Sequence, residues 1–370
     1  MADGASSVAS LLRRAVRAGV APGITGEWGR AAGSTFIETV GMSTVHPQPA
    51  AVTEHTWFDL ASLTKPLVTT TLTLLAFREN ALEPRKRVGA VLSELRGSTI
   101  GDLELDSLLT HTSGLPAWLP LYCVAEGQPE RLISRLARIP LESRPGERVV
   151  YSCVGFVILG MVLERVANER LNTLFRTKVA APLQLEGELG FGPESDTQSL
   201  ISGAGAPVVE RRMVLELGFD PTWIPPVGPG LPDDGNARFL AGVAGNAGLF
   251  GSARGVLSLA SEYLPEGGSL LSPTECAAAT GLRTRGLEQG RGWGWQLATS
   301  PGCSAGRDIS PRAFGHTGFT GVSVWCDPDT AHVYVLLTNR NHPTQRENDL
   351  HPLRRRFHAL ASGAARSRVD

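Results

Sequence analysis

The sequence predicts an α/β fold of the α+β type: a mainly antiparallel sheet built from both chain termini, flanked by helices, with a largely helical domain inserted between them. Three observations carry this expectation. Strand-like alternation occurs near both ends of the chain, amphipathic helices lie outside those strands, and the middle reads as helices separated by Pro/Gly-rich connections. A chain of 370 residues exceeds the usual size of one compact core. A sheet-containing part, 1–80 with 290–370, and a mostly helical part, 81–289, are therefore expected, with the working cleft between them.

Taken in order, Val8, Leu11, Leu12, Val16 and Val20 recur at helical spacing and predict an amphipathic first helix. The same segment lacks the apolar stretch of a secretory signal, and an Arg- and Ser-rich transit peptide is the alternative. "GITGEWGR" and "STFIETVG" then read as a hairpin with Gly and Ala at its turn. A helix over 62–78 buries the face formed by Leu67, Thr71, Leu74 and Leu75. The longest apolar run, "VGFVILGMVL" at 154–163, is half the length of about 20 residues that a membrane span needs, so it is a buried helix. Ser152 is its expected N-cap. "PTWIPPVGPGLPDDG", 221–235, is too long for an idle connection and is expected to border the cleft. "VSVWC" and "AHVYVLLT" alternate as strands around the turn "DPDT", and a last helix carries Leu350, Leu353, Phe357 and Leu360.

A net charge of −1, with no basic block, gives no footprint for nucleic acid. Nothing points to a membrane, and the expected partner is a small-molecule or short-peptide substrate. Five cysteines, odd in number and without a C-x-x-C, favour a reducing, cytoplasmic setting.

Lysine is rare here: among 35 basic residues only Lys65, Lys86 and Lys178 are lysines. "DLASLTKPL" sets Ser62 and Lys65 three apart, which on a helix is one face. The plain reading makes Ser62 an N-cap and Lys65 a surface cation. Arginine would serve on a surface, however, whereas a base must lose its proton, which a desolvated lysine does and arginine does not. Tyr151, in the loop before the apolar helix, can project its phenol into a cleft; a buried tyrosine with a satisfied hydroxyl is the alternative. "FGHTGFTGVSVW", 314–325, sets small residues beside a strand where a ligand can approach the backbone. Taken alone, His316 is more often structural than catalytic.

Ser-x-x-Lys, then Tyr-Ser-Cys, then His-Thr-Gly, in this order, resemble the motifs of the serine β-lactamase and penicillin-binding-protein superfamily. "LLTHTSGLP", "RPGERVVYSCVGFVILG" and "NARFLAGVAGNAGLFGSARGVLSLA" are similar to its class C-type branch, which also holds esterases, D-Ala-D-Ala carboxypeptidases and D-aminopeptidases. The resemblance runs from about residue 10 to 360 and implies the serine β-lactamase/DD-peptidase-like fold. It also implies acyl transfer through acyl-Ser62 without a cofactor or metal. Lys65 and Tyr151 would activate the serine, each with its pKa drawn toward neutrality. The backbone N–H groups of Ser62 and Phe319 would form the oxyanion hole, and Cys153, His316, Thr317 and Gly318 would contact substrate.

Two residues depart from the superfamily's pattern. Cys153 stands where penicillin-recognising members have asparagine, and His316 stands where many have lysine. A thiol is a poor partner for a substrate amide, and a histidine is a weaker cation at pH 7. Both shift the expectation toward esters or carboxypeptidase-type amides. β-Lactam hydrolysis and D-aminopeptidase activity are the near alternatives, and a non-catalytic binding member is the alternative from another class.

Overall fold

The computed structural model describes residues 3–30, 33–46, 48–192, 202–265 and 268–366. Strands β1 (Gly23–Arg30) and β2 (Thr35–Thr44) form the expected hairpin, whose turn residues Ala31 and Ala32 lie outside the described residues. Strand β3 (Ala50–Ala51) extends it along β2. A second, three-stranded sheet follows from β4 (Phe58–Asp59), β5 (Leu189–Phe191) and β6 (Leu249–Gly251), in the order β4-β6-β5. Sequence periodicity does not reveal it, because strands of two or three residues carry no readable alternation.

The C-terminal strands are β7 (Gln296–Leu297), β8 (Phe314–Thr317), β9 (Ser323–Asp327) and β10 (His332–Thr338). They complete an antiparallel seven-stranded sheet of order β3-β2-β1-β10-β9-β8-β7. Its centre is the pairing of β1 with β10, which sets Ile24 opposite Thr338 and Arg30 opposite His332. The two ends of the chain therefore share one sheet, as the sequence predicts.

Both faces of this sheet are covered, which explains the nearly continuous apolar run of β10. Alternation sends Tyr334 and Leu336 outward with Trp28 and Trp325. There they pack on the first helix (Asp3–Arg17) through Val8 and Leu12, and on the last (His351–Arg366) through Leu353 and Phe357. Val333, Val335 and Leu337 point inward and join a core that runs through the helical middle of the chain. At its centre lies the helix Cys153–Ala167, buried from Val154 through Gly160. Ser152 caps it, accepting the Gly155 N–H at 3.1 Å. Among the described residues no helix is long and apolar enough to cross a membrane.

Candidate active site

Strand β4 delivers the candidate nucleophile. Its Asp59 pairs with Phe250 of β6, and the Leu60 N–H donates to the Leu249 carbonyl at 2.9 Å. The chain then turns sharply at Ala61, a non-glycine residue with φ of +45°. Such a conformation costs about 1 kcal/mol or more and persists only where neighbours enforce it. Here Asp59 Oδ1 accepts the Ala61 N–H at 2.8 Å, while Oδ2 accepts the Asp233 N–H at 2.6 Å from the far side of the cleft. Ser62 follows in a 3₁₀ turn, Ala61–Leu63, whose cap positions are Leu60 and Thr64. Ser62 is thus no N-cap.

Its Oγ instead accepts a hydrogen bond from Lys65 Nζ at 2.8 Å. Lys65 is fully buried and also donates to the Asn246 carbonyl at 2.9 Å. It opens a π-helical stretch, Lys65–Thr70, ahead of the α-helix Thr71–Arg78, so the predicted 62–78 helix is three helical types in series. Wider π turns are common at functional sites. The Asn246 carbonyl reaches Lys65 because Gly245 lies directly on the Cys153–Ala167 helix. A Cβ there would stand 2.0 Å from the Phe156 carbonyl oxygen.

Tyr151 lies across from this pair, its ring centroid 5.0 Å from Lys65 Nζ. Burial pushes its phenol above the ordinary tyrosine value, while Lys65 and hydrogen bonding with Lys65 and Ser62 pull the other way. Burial likewise raises the Cys153 thiol, which is also within hydrogen-bonding reach of Lys65 and Tyr151. For Lys65, burial opposes the ammonium, but Cys153, Tyr151 and Asp234 favour it, and the balance lies above an ordinary lysine. The expectation that both pKa values are drawn toward neutrality is therefore corrected.

His111, quoted within "LLTHTSGLP" but given no role by sequence reasoning, brackets Tyr151 from both sides. Its carbonyl accepts the Val150 N–H at 2.9 Å and its Nδ1 accepts the Ser152 N–H at 3.0 Å. Its ring packs 4.7 Å from that of Tyr151. Burial, then Arg291, His316 and Lys65, hold its pKa well below the ordinary histidine value, so the ring is neutral. With Nδ1 accepting, the proton sits on Nε2.

Strand β8 forms the opposite wall. His316 is buried, with Nδ1 at 2.8 Å from the Thr317 carbonyl and its ring 5.7 Å from that of Tyr151. Burial, Lys65 and Arg291 push its pKa well below the ordinary value, so it is not a cation at pH 7. Gly318 lets the strand end close on the nucleophile turn: a Cβ there would lie 3.0 Å from the Leu60 carbonyl oxygen and 3.2 Å from Ala61 Cβ. Phe319 follows, its carbonyl accepting from Arg340 Nε at 2.9 Å. Arg291, like His111, is a residue that sequence reasoning missed. It is 6% exposed, its guanidinium lies 5.7 Å from the Tyr151 ring, and nothing but a lone arginine marks it in the sequence.

All eight sequence-predicted residues meet at one cavity of about 550 Å³. Ser62, Tyr151, Cys153, His316, Thr317, Gly318 and Phe319 line it, and Lys65 lies directly beneath Ser62. The long loop 221–235 contributes Asp233, Asp234 and Gly235 to the rim. Arg238 holds that loop through the Pro232 and Asp233 carbonyls at 3.0 and 2.6 Å, and it pairs with buried Glu210 at 2.6 Å.

EstCE1, described as a hydrolase with promiscuous acyltransferase activity, superposes with a TM-score of 0.74 at 22% identity, covering 96% of this chain and 98% of its own. A class C beta-lactamase superposes with a TM-score of 0.74 at 18% identity, covering 99% and 98%. At such identities these likenesses establish the fold. Among curated relatives, a putative D-alanyl-D-alanine carboxypeptidase of Escherichia coli (strain K12) is 27% identical over 326 residues, 81% of this chain and 73% of its own. An N-acetylmuramyl-L-alanine amidase of Bacillus subtilis (strain 168) is 27% identical over 319 residues, 80% and 70%. The family model described as Beta-lactamase matches residues 12–359, and with nearly the whole chain accounted for, this protein belongs to the Beta-lactamase family.

Proposed function

We propose that the protein is a serine acyl hydrolase that works through an acyl-Ser62 intermediate on carboxylic esters or carboxypeptidase-type amides. The observation that carries this reading is the 2.8 Å contact between buried Lys65 Nζ and Ser62 Oγ, with the Tyr151 hydroxyl beside both. Ser62 Oγ attacks the acyl carbon of the substrate, and its proton passes to the Lys65–Tyr151 pair. The pair acts as a base after losing one proton, and the two titrate as a unit. That proton then goes to the leaving alkoxide or amine. Water attacks the acyl carbon in turn, gives its proton to the pair, and Ser62 recovers it. The Ser62 and Phe319 N–H groups serve the developing oxyanion.

A cavity of about 550 Å³ suits a small molecule or a short peptide. Cys153, in place of an amide side chain, favours the ester over the amide. Labelling with a fluorophosphonate probe tests the reading. The wild-type protein is expected to label stoichiometrically and Ser62→Ala not at all, with an unchanged melting temperature. Stoichiometric labelling of the folded Ser62→Ala protein would remove Ser62 as nucleophile.

A further inference from the structure

Asp59 is a buried acid that takes no part in the acyl-transfer steps, yet three segments around the cleft meet on it. Its Oδ1 accepts the Ala61 N–H at 2.8 Å, and its Oδ2 accepts the Asp233 N–H at 2.6 Å. Its backbone carbonyl accepts the Thr320 hydroxyl at 2.7 Å. Asp59 thus joins the nucleophile turn, the loop 221–235 and the turn between β8 and β9, while β4 itself is held by its pairing with β6.

The partners of Asp59 are fixed from their far sides as well. Asp233 Oδ2 accepts Asn341 Nδ2 at 2.9 Å and Gln345 Nε2 at 3.1 Å. The Thr320 carbonyl accepts the Thr338 hydroxyl of β10 at 2.7 Å. Within the turn after β8, the Gly318 N–H donates to the Val322 carbonyl at 2.8 Å and the Gly321 N–H to the Gly318 carbonyl at 3.0 Å. The order of residues then matters. Ser62 follows Ala61 directly, and Phe319 directly precedes Thr320. Each N–H group that would serve the oxyanion therefore stands one residue from an anchor on Asp59.

We infer that Asp59 is a positioning residue that sets the separation of the Ser62 and Phe319 N–H groups, its carboxylate holding one and its carbonyl the other. The inference rests on the acyl-transfer reading above and adds to it a residue that touches neither substrate nor reacting atoms. Ala61 shows why a carboxylate is needed: at a φ of +45° alanine relaxes unless a neighbour holds it, whereas glycine would stay without help. Oxyanion donors meet a charge that develops only in the transition state. Moving either of them slows the chemical step and leaves ground-state binding nearly unchanged. An Asp59 that only braced the fold would instead lower stability and leave the chemistry of the folded molecules as it was.

The test is the rate of labelling per folded molecule by a fluorophosphonate, whose phosphoryl oxygen takes the place of the oxyanion. Asp59→Asn keeps the size of the side chain but turns an NH2 group toward one of the two N–H donors. It is expected to lower the limiting labelling rate about 10- to 100-fold, less than the roughly 10²–10³ lost with a whole oxyanion donor. The half-saturating probe concentration should stay within about threefold of wild type, because ground-state contacts persist. Adding Ala61→Gly should restore about three- to fivefold in the Asp59→Asn protein, the equivalent of one relieved left-handed alanine, and less in wild type. A wild-type labelling rate in folded Asp59→Asn, or the same effect of Ala61→Gly in both backgrounds, would overturn the inference and leave the acyl-transfer reading standing. A wild-type protein that does not label at all removes that reading and the inference together. Should Asp59→Asn not fold, Thr320→Val takes away the hydroxyl on the Asp59 carbonyl and keeps the shape of the side chain. It should slow labelling about three- to tenfold, the usual range for one lost neutral hydrogen bond, and an unchanged rate there would sink the proposal.

Discussion

Two buried arginines near the cleft are treated in opposite ways. Every nitrogen of Arg238 has a partner: Glu210 at 2.6 Å, the Pro232 and Asp233 carbonyls, and the Pro225 carbonyl at 3.3 Å. Its partner is satisfied as well, since Glu210 Oε1 accepts the Tyr122 hydroxyl at 2.7 Å. Arg291 has one side-chain acceptor and an orphaned Nε. Lys65 resembles Arg291 in this respect, its hydrogen-bond acceptors being a hydroxyl and a carbonyl. Charges whose partners lie within the chain hold the loop 221–235 in place. Arg291 lines the cavity, and Lys65 lies beneath Ser62 at its edge.

This contrast predicts that substitutions in the first set act on stability and those in the second on turnover. The largest effect is expected at Lys65. Lys65→Arg keeps the charge and removes the dissociable proton, so kcat/KM should fall by ~10²–10⁴, the usual loss of an oriented general base. Ester hydrolysis at wild-type rate in this variant would reduce Lys65 to a source of positive potential.

Glu210→Gln probes the opposite set. It leaves Arg238 buried without its counter-charge, which typically costs about 3–5 kcal/mol. The urea midpoint should drop accordingly, while fluorophosphonate labelling per folded molecule persists. Labelling lost at an unchanged midpoint would place Glu210 with the reaction chemistry and erase the distinction.

The smallest effect is expected at Cys153, where no formal charge changes. Asparagine there would supply an amide to a substrate amide, a hydrogen bond worth about 1–3 kcal/mol, or roughly 5- to 150-fold in kcat/KM. Cys153→Asn should raise activity on a cephalosporin or peptide within that range and leave a short-chain ester nearly unchanged. Equal losses on both substrates would mean that the thiol packs against Tyr151 and Lys65 and recognises nothing.

Much of this arrangement is legible in the sequence because it rests on local spacing. Ser62 and Lys65 are one turn apart, Ser152 precedes an unmistakable apolar run, and the terminal strands alternate over five to seven residues. What escapes is set by tertiary contact. Arg291 looks like any other arginine until its burial and its missing acid are known. His111 is one histidine among eight until its two hydrogen bonds are seen to flank Tyr151. The small β4-β6-β5 sheet joins residues 58 and 251, a pairing that no local pattern encodes. The shifts of Lys65 and Tyr151 are tertiary in the same way, set by burial and by the groups packed around them. A helix terminus can be read in a motif, whereas the neighbours that surround an ammonium cannot.

The pairing of β1 with β10 also bears on synthesis. A chain leaving the ribosome presents Ser62 and Lys65 early, yet the wall opposite them begins at residue 314. At about 5–20 residues per second, the interval is on the order of tens of seconds. Through that time β1 has its β10 edge bare, an open template for pairing with another chain. The unfinished polypeptide thus carries the Ser62–Lys65 pair without the strand that faces it. The cavity is completed only by the final strands, and truncation within β10 leaves the β1 edge open to pairing and aggregation.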